Sequence, residues 1–169
     1  QNDPAWCRQQ LDVMKGYDYD FFTKLCKLFQ GGWTHANATK GGKIYQDVRA
    51  FDFASSYPAV MTTRTMPVGE FIQCDPSEFD QLVAQDLNYP DYRWFAKIKV
   101  SNANSIVMSR LQNTYWSLSK CEETTGYVTT DNGRIASCES MTIYLTDLDY
   151  DTFKQSYMFD TVEVLELYK

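Results

Sequence analysis

Residues 127–145 read YVTTDNGRIASCESMTIYL, and this stretch decides the fold of the second half of the chain. Two runs of strand-type residues, 127–130 and 134–138, flank the turn sequence Asp-Asn-Gly at 131–133. Asn-Gly favours the positive φ angles of a two-residue hairpin turn, which joins neighbouring antiparallel strands. The stretch therefore predicts a β-hairpin, followed by a separate strand over 141–145.

The surrounding sequence adds strands and short helices to this hairpin. Residues 94–100 and 161–167 alternate between apolar and polar side chains, as half-exposed strands do. Asp75 begins a helical pattern, and Thr146 or Asp147 caps a second helix. The second half is thus predicted to be a small α+β lobe with a mostly antiparallel sheet.

The first third of the chain predicts helices and then a strand. Residues 3–16 and 21–29 carry apolar side chains at helical spacing, and 33–43 read as an exposed connector. Residues 44–54 then alternate and are rich in aromatics, which predicts a largely buried strand. Asp52 would lie close to the end of that strand, beside a tight turn.

Composition excludes several classes of protein. The 169 residues are 44% hydrophobic and 22% charged, which excludes disordered, collagen-like and coiled-coil chains. The net charge of -6 has the wrong sign for a nucleic-acid coat or a polybasic membrane binder. The sequence contains neither a membrane-spanning apolar run nor a signal peptide, so we expect a cytoplasmic protein without a membrane partner.

Cysteine usage and the first residue bear on compartment and origin. The five cysteines form no Cys-x-x-Cys pair, and His35 is the only histidine, so free thiols are expected and a structural zinc site is not. The chain begins with Gln1, which favours a processed or excised piece of a longer polypeptide.

Asp52 is the first candidate for chemistry. A carboxylate at the end of a buried strand is costly unless it is paired, and a divalent cation holding a nucleoside triphosphate would pair it. Backbone N–H groups of Ser55, Ser56 and Tyr57 would then approach phosphate oxygens. Alternatively, Asp52 accepts hydrogen bonds from the turn that follows, and Tyr57 begins a helix. Spacing alone favours this structural alternative.

Three elements of the sequence bear a family resemblance. Residues 51–58, FDFASSYP, resemble the Asp-x-x-Ser-Leu-Tyr-Pro signature of family B DNA polymerases, with Ser56 in place of the usual Leu. Residues 61–70, MTTRTMPVGE, are similar to its continuation in the phage, protein-primed branch. Residues 29–32, FQGG, resemble the Tyr-x-Gly-Gly element between exonuclease and polymerase domains, with Phe29 replacing Tyr.

The resemblance implies a role for each position of the first element. Asp52 would be a catalytic residue that binds the two metal ions, Mg²⁺ or Mn²⁺, and the Phe53 carbonyl would help to hold one of them. The backbone of Ser55, Ser56 and Tyr57 would bind the deoxynucleoside triphosphate. Tyr57 would also act as a steric gate whose ring clashes with a ribose 2′-OH.

The other elements imply contacts with DNA. Phe29, Gly31 and Gly32 would touch the template strand, and Arg64 would also bind DNA. Loss of the tyrosine hydroxyl at Phe29 removes one hydrogen bond to phosphate. The basic residues of the second half are candidates for phosphate contacts, although solvated side chains are the favoured interpretation; they are Lys97, Lys99, Lys120 and Arg134.

The resemblance divides the chain into three parts. Residues 1–32 would be a helical segment and the exonuclease-to-polymerase linker, and 33–61 a portion of the polymerase palm. Residues 62–169 resemble, by their layout, the insertion that contacts a terminal priming protein and the duplex. The predicted fold is therefore α+β, a partial palm with an inserted small lobe of mostly antiparallel strands and short helices.

The sequence lacks other parts of a polymerase. Two-metal nucleotidyl transfer needs a second carboxylate, and no Tyr-x-Asp-Thr-Asp or Asn-Ser-x-Tyr-Gly segment is present. The predicted function is a fragment of a viral DNA-directed DNA polymerase, inactive alone, whose partners are primer-template DNA, deoxynucleoside triphosphates and a priming protein. The alternative is a non-enzymatic protein- or DNA-binding module. A metal-dependent nuclease would need further acidic ligands around Asp52.

Overall fold

The computed structural model describes residues 19–30, 40–64, 66–67, 69–108, 111–112 and 115–169. Within them the fold is α+β, with a mostly antiparallel sheet and a few short helices, as predicted. The predicted helix over 3–16 lies outside the described residues.

The described part of the chain contains four α-helices and eight strands, with short 3-10 helices at Pro76–Glu78 and Leu118–Lys120. The helices are α1 (Tyr19–Leu28), α2 (Ser56–Thr63), α3 (Phe79–Val83) and α4 (Asp147–Ser156). The strands are β1 (Gln73–Cys74), β2 (Phe95–Ser105), β3 (Val107–Met108), β4 (Leu111–Gln112), β5 (Cys121–Asp131), β6 (Arg134–Thr146), β7 (Tyr157–Met158) and β8 (Thr161–Tyr168). None of the described helices is long and apolar enough to cross a membrane.

Six strands form one sheet in the order β1-β8-β2-β6-β5, with β7 paired to the end of β2. All of its pairs are antiparallel. The hairpin prediction is confirmed, since Asn132 and Gly133 connect β5 to β6 with φ angles of 49° and 75°. The separate strand predicted over 141–145 is wrong, because β6 runs without interruption for 13 residues.

One face of the sheet carries the main core. The alternation predicted for 94–100 is confirmed, because Ala96, Ile98 and Val100 are fully buried there. Helices α3 and α4 cover this face. The large buried side chains around it include Phe79, Leu82, Trp94, Trp116, Ile143, Leu145, Tyr150, Phe153 and Tyr157. We call this sheet, with α3 and α4, the lobe.

Helix α4 begins with the predicted cap. The Thr146 side chain accepts the Asp149 N–H, and the Asp149 side chain reaches back to the Thr146 N–H, so the two form a capping box. Asp147 is buried instead, and its Oδ2 lies 2.7 Å from Nη1 of Arg93. Of the two proposed caps, Thr146 is therefore the one that the helix uses.

Helix α1 packs on the opposite face of the sheet. Its side chains Phe21, Leu25 and Leu28 pack against a second, smaller cluster formed by Phe95, Tyr144 and Tyr168. The helix predicted over 21–29 is thereby confirmed, with bounds at Tyr19 and Leu28. The sheet is consequently covered on both faces, although α1 covers only part of its face.

The buried strand predicted over 44–54 is wrong. The segment from residue 40 to residue 64 contains no strand, and every residue in it is exposed. Ile44 is 96% exposed, Phe51 89% and Phe53 85%. A strand persists only when a neighbouring strand pairs with its N–H and C=O groups, and no described strand pairs with this segment. Asp52 therefore does not end a buried strand.

Candidate functional site

The carboxylate of Asp52 lies in solvent. One of its oxygens, Oδ1, accepts a hydrogen bond from the backbone N–H of Phe53 at 2.8 Å. The structural alternative considered for Asp52 is thus realised in part, although the bond comes from the adjacent residue and not from a longer turn. An exposed carboxylate is hydrated, so it carries no desolvation cost that a cation would have to offset.

The chain turns sharply between Asp52 and helix α2. Ser55 has φ 54° and ψ 41°, a left-handed conformation that is uncommon for a residue with a side chain. Its carbonyl accepts the first helical hydrogen bond, from the Ala59 N–H at 3.0 Å, and its side chain makes no capping bond. The helix thus begins directly after a conformationally costly residue.

In the first turn of α2, two backbone N–H groups are available to hydrogen-bond a group outside the helix. Pro58 has no N–H, and the Ala59 N–H is used inside the helix, which leaves those of Ser56 and Tyr57. Amides in this position are typical partners of phosphate oxygens. The Tyr57 ring follows at once and is 81% exposed, so a ligand could reach it.

The structure separates Arg64 from this turn. Arg64 follows the last residue of α2, and its backbone N–H bonds the Val60 carbonyl at 2.9 Å. Eight helical residues rise by about 12 Å, which is the distance along α2 between its two ends. Asp52, Phe53, Ser55, Ser56 and Tyr57 therefore form one local group, and Arg64 lies at the other end of the helix.

The predicted template contacts are described only in part. Phe29 follows α1 and is 70% exposed, and the Nζ atom of Lys120 lies 5.9 Å from the centre of its ring. Gly31 and Gly32 lie outside the described residues. Phe29 thus contacts a lysine of the lobe.

Asp52 belongs to no metal-binding cluster among the described residues. In the part of the chain that the structure describes, no three His, Cys, Asp or Glu side chains form a group able to hold a metal ion. Mg²⁺ prefers six oxygen ligands in octahedral geometry. The Asp52 carboxylate and the Phe53 carbonyl could supply two of them, so a complete site needs ligands from other residues.

Two of the basic residues considered for phosphate contacts are engaged within the lobe. Lys97 lies 2.5 Å from Glu122, and the Arg134 guanidinium donates to the Tyr115 carbonyl. Lys97 is therefore neutralised by a carboxylate, and Arg134 is half-buried instead of solvated. Lys99 is exposed on the open part of the sheet.

Sequence reasoning missed an ionic cluster between α1 and the sheet. Lys24 lies 2.8 Å from Glu166, and Lys27 lies 2.6 Å from Glu122. Lys97 lies between the two carboxylates, 2.5 Å from Glu122 and 3.8 Å from Glu166. We call these five residues the ionic cluster. Three lysines and two glutamates thereby join α1, β2, β5 and β8.

The ionic cluster shifts the pKa values of Glu122, Glu166 and Lys24. Burial alone would raise the pKa of Glu122, but hydrogen bonds from Lys27 and Lys97 outweigh it and lower this pKa. Hydrogen bonds from Lys24 and Tyr168 likewise overcome burial and lower the pKa of Glu166. A hydrogen bond to Glu166 raises the pKa of Lys24. Each group is thus stabilised in its charged form.

A partial signal for this cluster exists in the sequence. Lys24 and Lys27 are three residues apart, so they lie on neighbouring positions of one helix surface, beside the apolar side chains of α1. Helical spacing does not predict the glutamates with which these lysines pair. Lys97 lies opposite Glu166 only because of the register between β2 and β8, which local sequence does not determine.

Comparison with known proteins identifies no relative of this chain. No protein-family model, no curated protein and no solved structure matches the chain. The polymerase resemblance therefore rests on residues 29–32, 51–58 and 61–70.

Proposed function

We propose that the chain is part of a phage-type, protein-primed family B DNA polymerase. In this proposal Asp52 and the Phe53 carbonyl contribute to the catalytic metal site, which Mg²⁺ or Mn²⁺ would occupy in the intact enzyme. Tyr57 would exclude ribonucleotides. The observation that carries the proposal is the occurrence, in the right order, of the elements at 29–32, 51–58 and 61–70.

The local geometry supports the proposal without completing the site. The Asp52 carboxylate, the first-turn amides of α2 and the Tyr57 ring all lie in solvent within six residues of sequence. They are therefore open to groups supplied by other parts of a longer polypeptide. The left-handed Ser55 brings the chain from Asp52 directly into the start of α2.

Exposed apolar side chains on the same segment also support it. Phe51, Phe53, Val60 and Met61 are 89%, 85%, 54% and 64% exposed. Apolar surface is stabilised when it is removed from water, at about 25 cal/mol per Å². Such a density of apolar side chains in one short segment is typical of a surface that another structural element covers. The palm of a complete polymerase would supply that element.

The parent enzyme would join a deoxynucleoside monophosphate to a primer hydroxyl by in-line attack on the α-phosphate. Divalent metal ions neutralise the charge that develops on the phosphoryl oxygens. The amides of Ser56 and Tyr57 would bind the triphosphate, and the Tyr57 ring would lie against the sugar. A second carboxylate, outside residues 1–169, would complete the metal site.

Substitution Asp52→Ala in the full parent polypeptide tests the metal-ligand role. We expect primer extension to slow by at least about 100-fold, because a catalytic metal stabilises the transition state by several kcal/mol. Asp91→Ala is the matched control, since Asp91 is also an exposed aspartate but lies in the connection between α3 and β2. Primer extension at the normal rate by the Asp52→Ala enzyme would remove the basis of the proposal.

Substitution Tyr57→Val in the same parent tests the steric gate. We expect the ratio of kcat/KM for deoxynucleotides to that for ribonucleotides to fall, because the smaller side chain leaves room for the 2′-OH. Tyr89→Val is the control, since Tyr89 is 86% exposed and Tyr57 is 81% exposed. An unchanged ratio in the Tyr57→Val enzyme contradicts the gate role.

A second candidate is a non-enzymatic protein- or DNA-binding module. The lobe favours it, because it has its own core, and a cleft of about 480 Å³ with Phe71, Ile72 and Tyr92 in its wall lies beside it. The reading frame of the parent distinguishes the two candidates. Segments of the types Asn-Ser-x-Tyr-Gly and Tyr-x-Asp-Thr-Asp after Lys169 favour the polymerase, and their absence favours the module.

A further inference from the structure

The turn of the β5–β6 hairpin contains the one Asn-Gly pair of the 169-residue sequence. Asn132 and Gly133 are both exposed, with φ angles of 49° and 75°. A Cβ built on Gly133 would meet no atom within 4 Å, so the space beside its backbone is open. Solvent therefore has access to both residues of the turn.

Two groups of this pair can react with each other, and neither has a described hydrogen-bond partner. No described residue bonds the Asn132 side-chain amide, and none accepts the Gly133 backbone N–H. The Gly133 carbonyl, by contrast, accepts the Leu118 N–H at 3.0 Å. The turn is thus attached to its surroundings through a carbonyl, while the amide and the N–H face solvent.

Two other asparagines of the lobe differ from Asn132 in both respects. Asn102 also has a positive φ, of 50°, but its side-chain amide donates to Oδ2 of Asp160 at 2.6 Å, and alanine follows it. The side-chain amide of Asn104 donates to the Asn102 carbonyl at 3.0 Å, and serine follows it. Exposed turn geometry alone therefore does not distinguish Asn132, but its free amide and the glycine after it do.

A free amide beside a free glycine N–H allows a cyclic imide to form. The Gly133 nitrogen gives its proton to a solvent base and attacks Cγ of Asn132. An N–Cγ bond forms, the Cγ–Nδ2 bond breaks, and Nδ2 takes a proton from water and leaves as ammonia. Glycine permits this approach because it has no Cβ beside the attacking nitrogen. The turn must change its conformation for the attack, and an exposed hairpin end opens at low free-energy cost.

Water then opens the imide ring at one of its two carbonyl carbons. Addition at Cγ restores the normal backbone and leaves aspartate. Addition at the main-chain carbonyl carbon leaves isoaspartate, in which the backbone continues through Cγ and the α-carboxylate is free. One water enters and one ammonia leaves over the whole sequence, so no oxidant or reductant takes part.

We infer that Asn132 is a modification site at which the chain acquires isoaspartate as it ages. The free α-carboxylate of that product is the group that an isoaspartyl carboxyl methyltransferase esterifies, so the aged turn is a substrate for an enzyme of this class. The inference concerns the lobe, and it applies whether or not Asp52 serves a polymerase.

Isoaspartate would disturb the hairpin at this turn. It adds a methylene carbon to the backbone of a two-residue loop, and the length of such a loop sets the register that pairs Asp131 with Arg134. The Gly133 carbonyl follows directly, so its hydrogen bond from Leu118 would weaken. Replacement of the amide by aspartate, in contrast, changes the charge and keeps the length of the loop.

Peptide mass spectrometry on the full chain, stored at mildly alkaline pH, tests the site. We expect Asn132 to lose its amide at least about tenfold faster than Asn102, which corresponds to a barrier lower by about 1.4 kcal/mol. Electron-based fragmentation distinguishes isoaspartate from aspartate, and methylation by an isoaspartyl carboxyl methyltransferase measures isoaspartate independently. Equal rates at Asn132 and Asn102 overturn the inference. Aspartate as the sole product also overturns it, because direct hydrolysis of the side chain gives no isoaspartate.

Two variants test the parts of the pair. Gly133→Ala should slow the loss at Asn132, because its methyl group hinders the attacking nitrogen. Asn132→Gly removes the amide and keeps a residue that accepts the positive φ of the turn, so the hairpin is retained. Methylation of the aged Asn132→Gly protein should be absent. Methylation equal to that of the aged unmodified chain would place the isoaspartate elsewhere and overturn the site.

Hydrogen exchange of the Leu118 amide tests the effect on the hairpin. We expect exchange to be about two- to tenfold faster in the isoaspartate form, the effect of losing one hydrogen bond. Freshly purified Asn132→Asp protein is the matched control, since it carries the new charge without the extra methylene. Equal Leu118 exchange in the two proteins contradicts the disturbed turn.

Discussion

The lobe and the segment over residues 40–64 differ in almost every physical respect. In the lobe, Phe95, Phe153, Ile98 and Leu145 are at most 1% exposed, whereas every residue of the segment is exposed. The lobe is held by strand pairing on a covered sheet, and the described segment has one short helix as its regular structure. The candidate site residues lie on the segment, and the burial that stabilises the fold lies in the lobe.

This difference teaches that folding and the proposed chemistry belong to separate parts of the chain. Substitutions in the segment should leave the free energy of unfolding nearly unchanged, since that energy comes mainly from buried apolar area. The same kind of substitution in the lobe should be costly. Paired substitutions of one residue type, one in each region, therefore test the comparison directly.

Removal of a phenylalanine side chain gives the largest expected contrast. Phe153 is fully buried, stacks on Tyr157 at 4.8 Å and meets Trp116 edge-on at 6.1 Å. We expect Phe153→Ala to lower the free energy of unfolding by about 3–5 kcal/mol. Phe53→Ala, at a side chain that is 85% exposed, should change it by less than about 0.5 kcal/mol.

Urea unfolding followed by circular dichroism measures both changes. The urea dependence of the free energy should be the same for the Phe53→Ala protein and the unmodified chain, since the segment adds little buried surface. Equal destabilisation by the two substitutions would mean that residues 40–64 belong to the cooperative core, and the comparison would fail.

Glycines with positive φ give an intermediate contrast. Gly126 in β5 has φ 73°, and a Cβ added there would lie 2.0 Å from Oε2 and 2.7 Å from Cβ of Glu139. Gly126→Ala combines a left-handed alanine with this overlap, and we expect it to cost about 2–4 kcal/mol in the free energy of unfolding. Gly133, in the hairpin turn, has φ 75° and open space around it. Gly133→Ala should cost about 1–2 kcal/mol, from backbone strain alone.

Gly42 extends this test to the segment. It has φ 72° and open space, as Gly133 does, but it lies among the exposed residues 40–64. We expect Gly42→Ala to leave the urea midpoint unchanged, because strain in the segment relaxes without opening the lobe. A shift of the urea midpoint equal to that of Gly133→Ala would show that residues 40–64 unfold together with the lobe.

Much of the lobe could be predicted from sequence because its signals are local. Asn132 and Gly133 predicted the hairpin turn, and Thr146, which forms a capping box with Asp149, predicted the start of α4. The alternation over 94–100 identified the buried side of β2, the central strand of the sheet. Each of these features depends on residues within a few positions of one another.

The parts that failed depend on distant partners. Residues 44–54 alternate as a strand does, but no described strand pairs with them, so the pattern has no ladder to join. Asp147 looked like a helix cap, yet its main partner is Arg93, 54 residues earlier. The sequence motif correctly placed Asp52 to Tyr57 in one local group. Their exposure could not be predicted, because the burial of a segment depends on which other elements pack against it.

Acid gives the smallest expected effect, and we expect it to act through Glu122 and Glu166, which pair with lysines of α1 and β2. The folded-state pKa values of Glu122 and Glu166 lie below the ordinary value of about 4.3. A depressed folded pKa contributes stability that is fully present above the unfolded pKa and is lost as pH falls through the folded pKa. We therefore expect the ion pairs of these two glutamates to weaken from about pH 5 downward.

The double variant Glu122→Gln, Glu166→Gln isolates this contribution. Between pH 7 and pH 3 its free energy of unfolding should fall less than that of the unmodified chain, by about 0.2–1 kcal/mol for each lost pair. Glu123→Gln is the matched control, because Glu123 is next to Glu122 but outside the ionic cluster, and it should keep the full acid dependence. Identical pH profiles for the double variant and the unmodified chain would mean that the cluster holds α1 without stabilising the lobe. The stability of the sheet would then come from its apolar face, and the charges that join β2, β5 and β8 would serve only to position the helix.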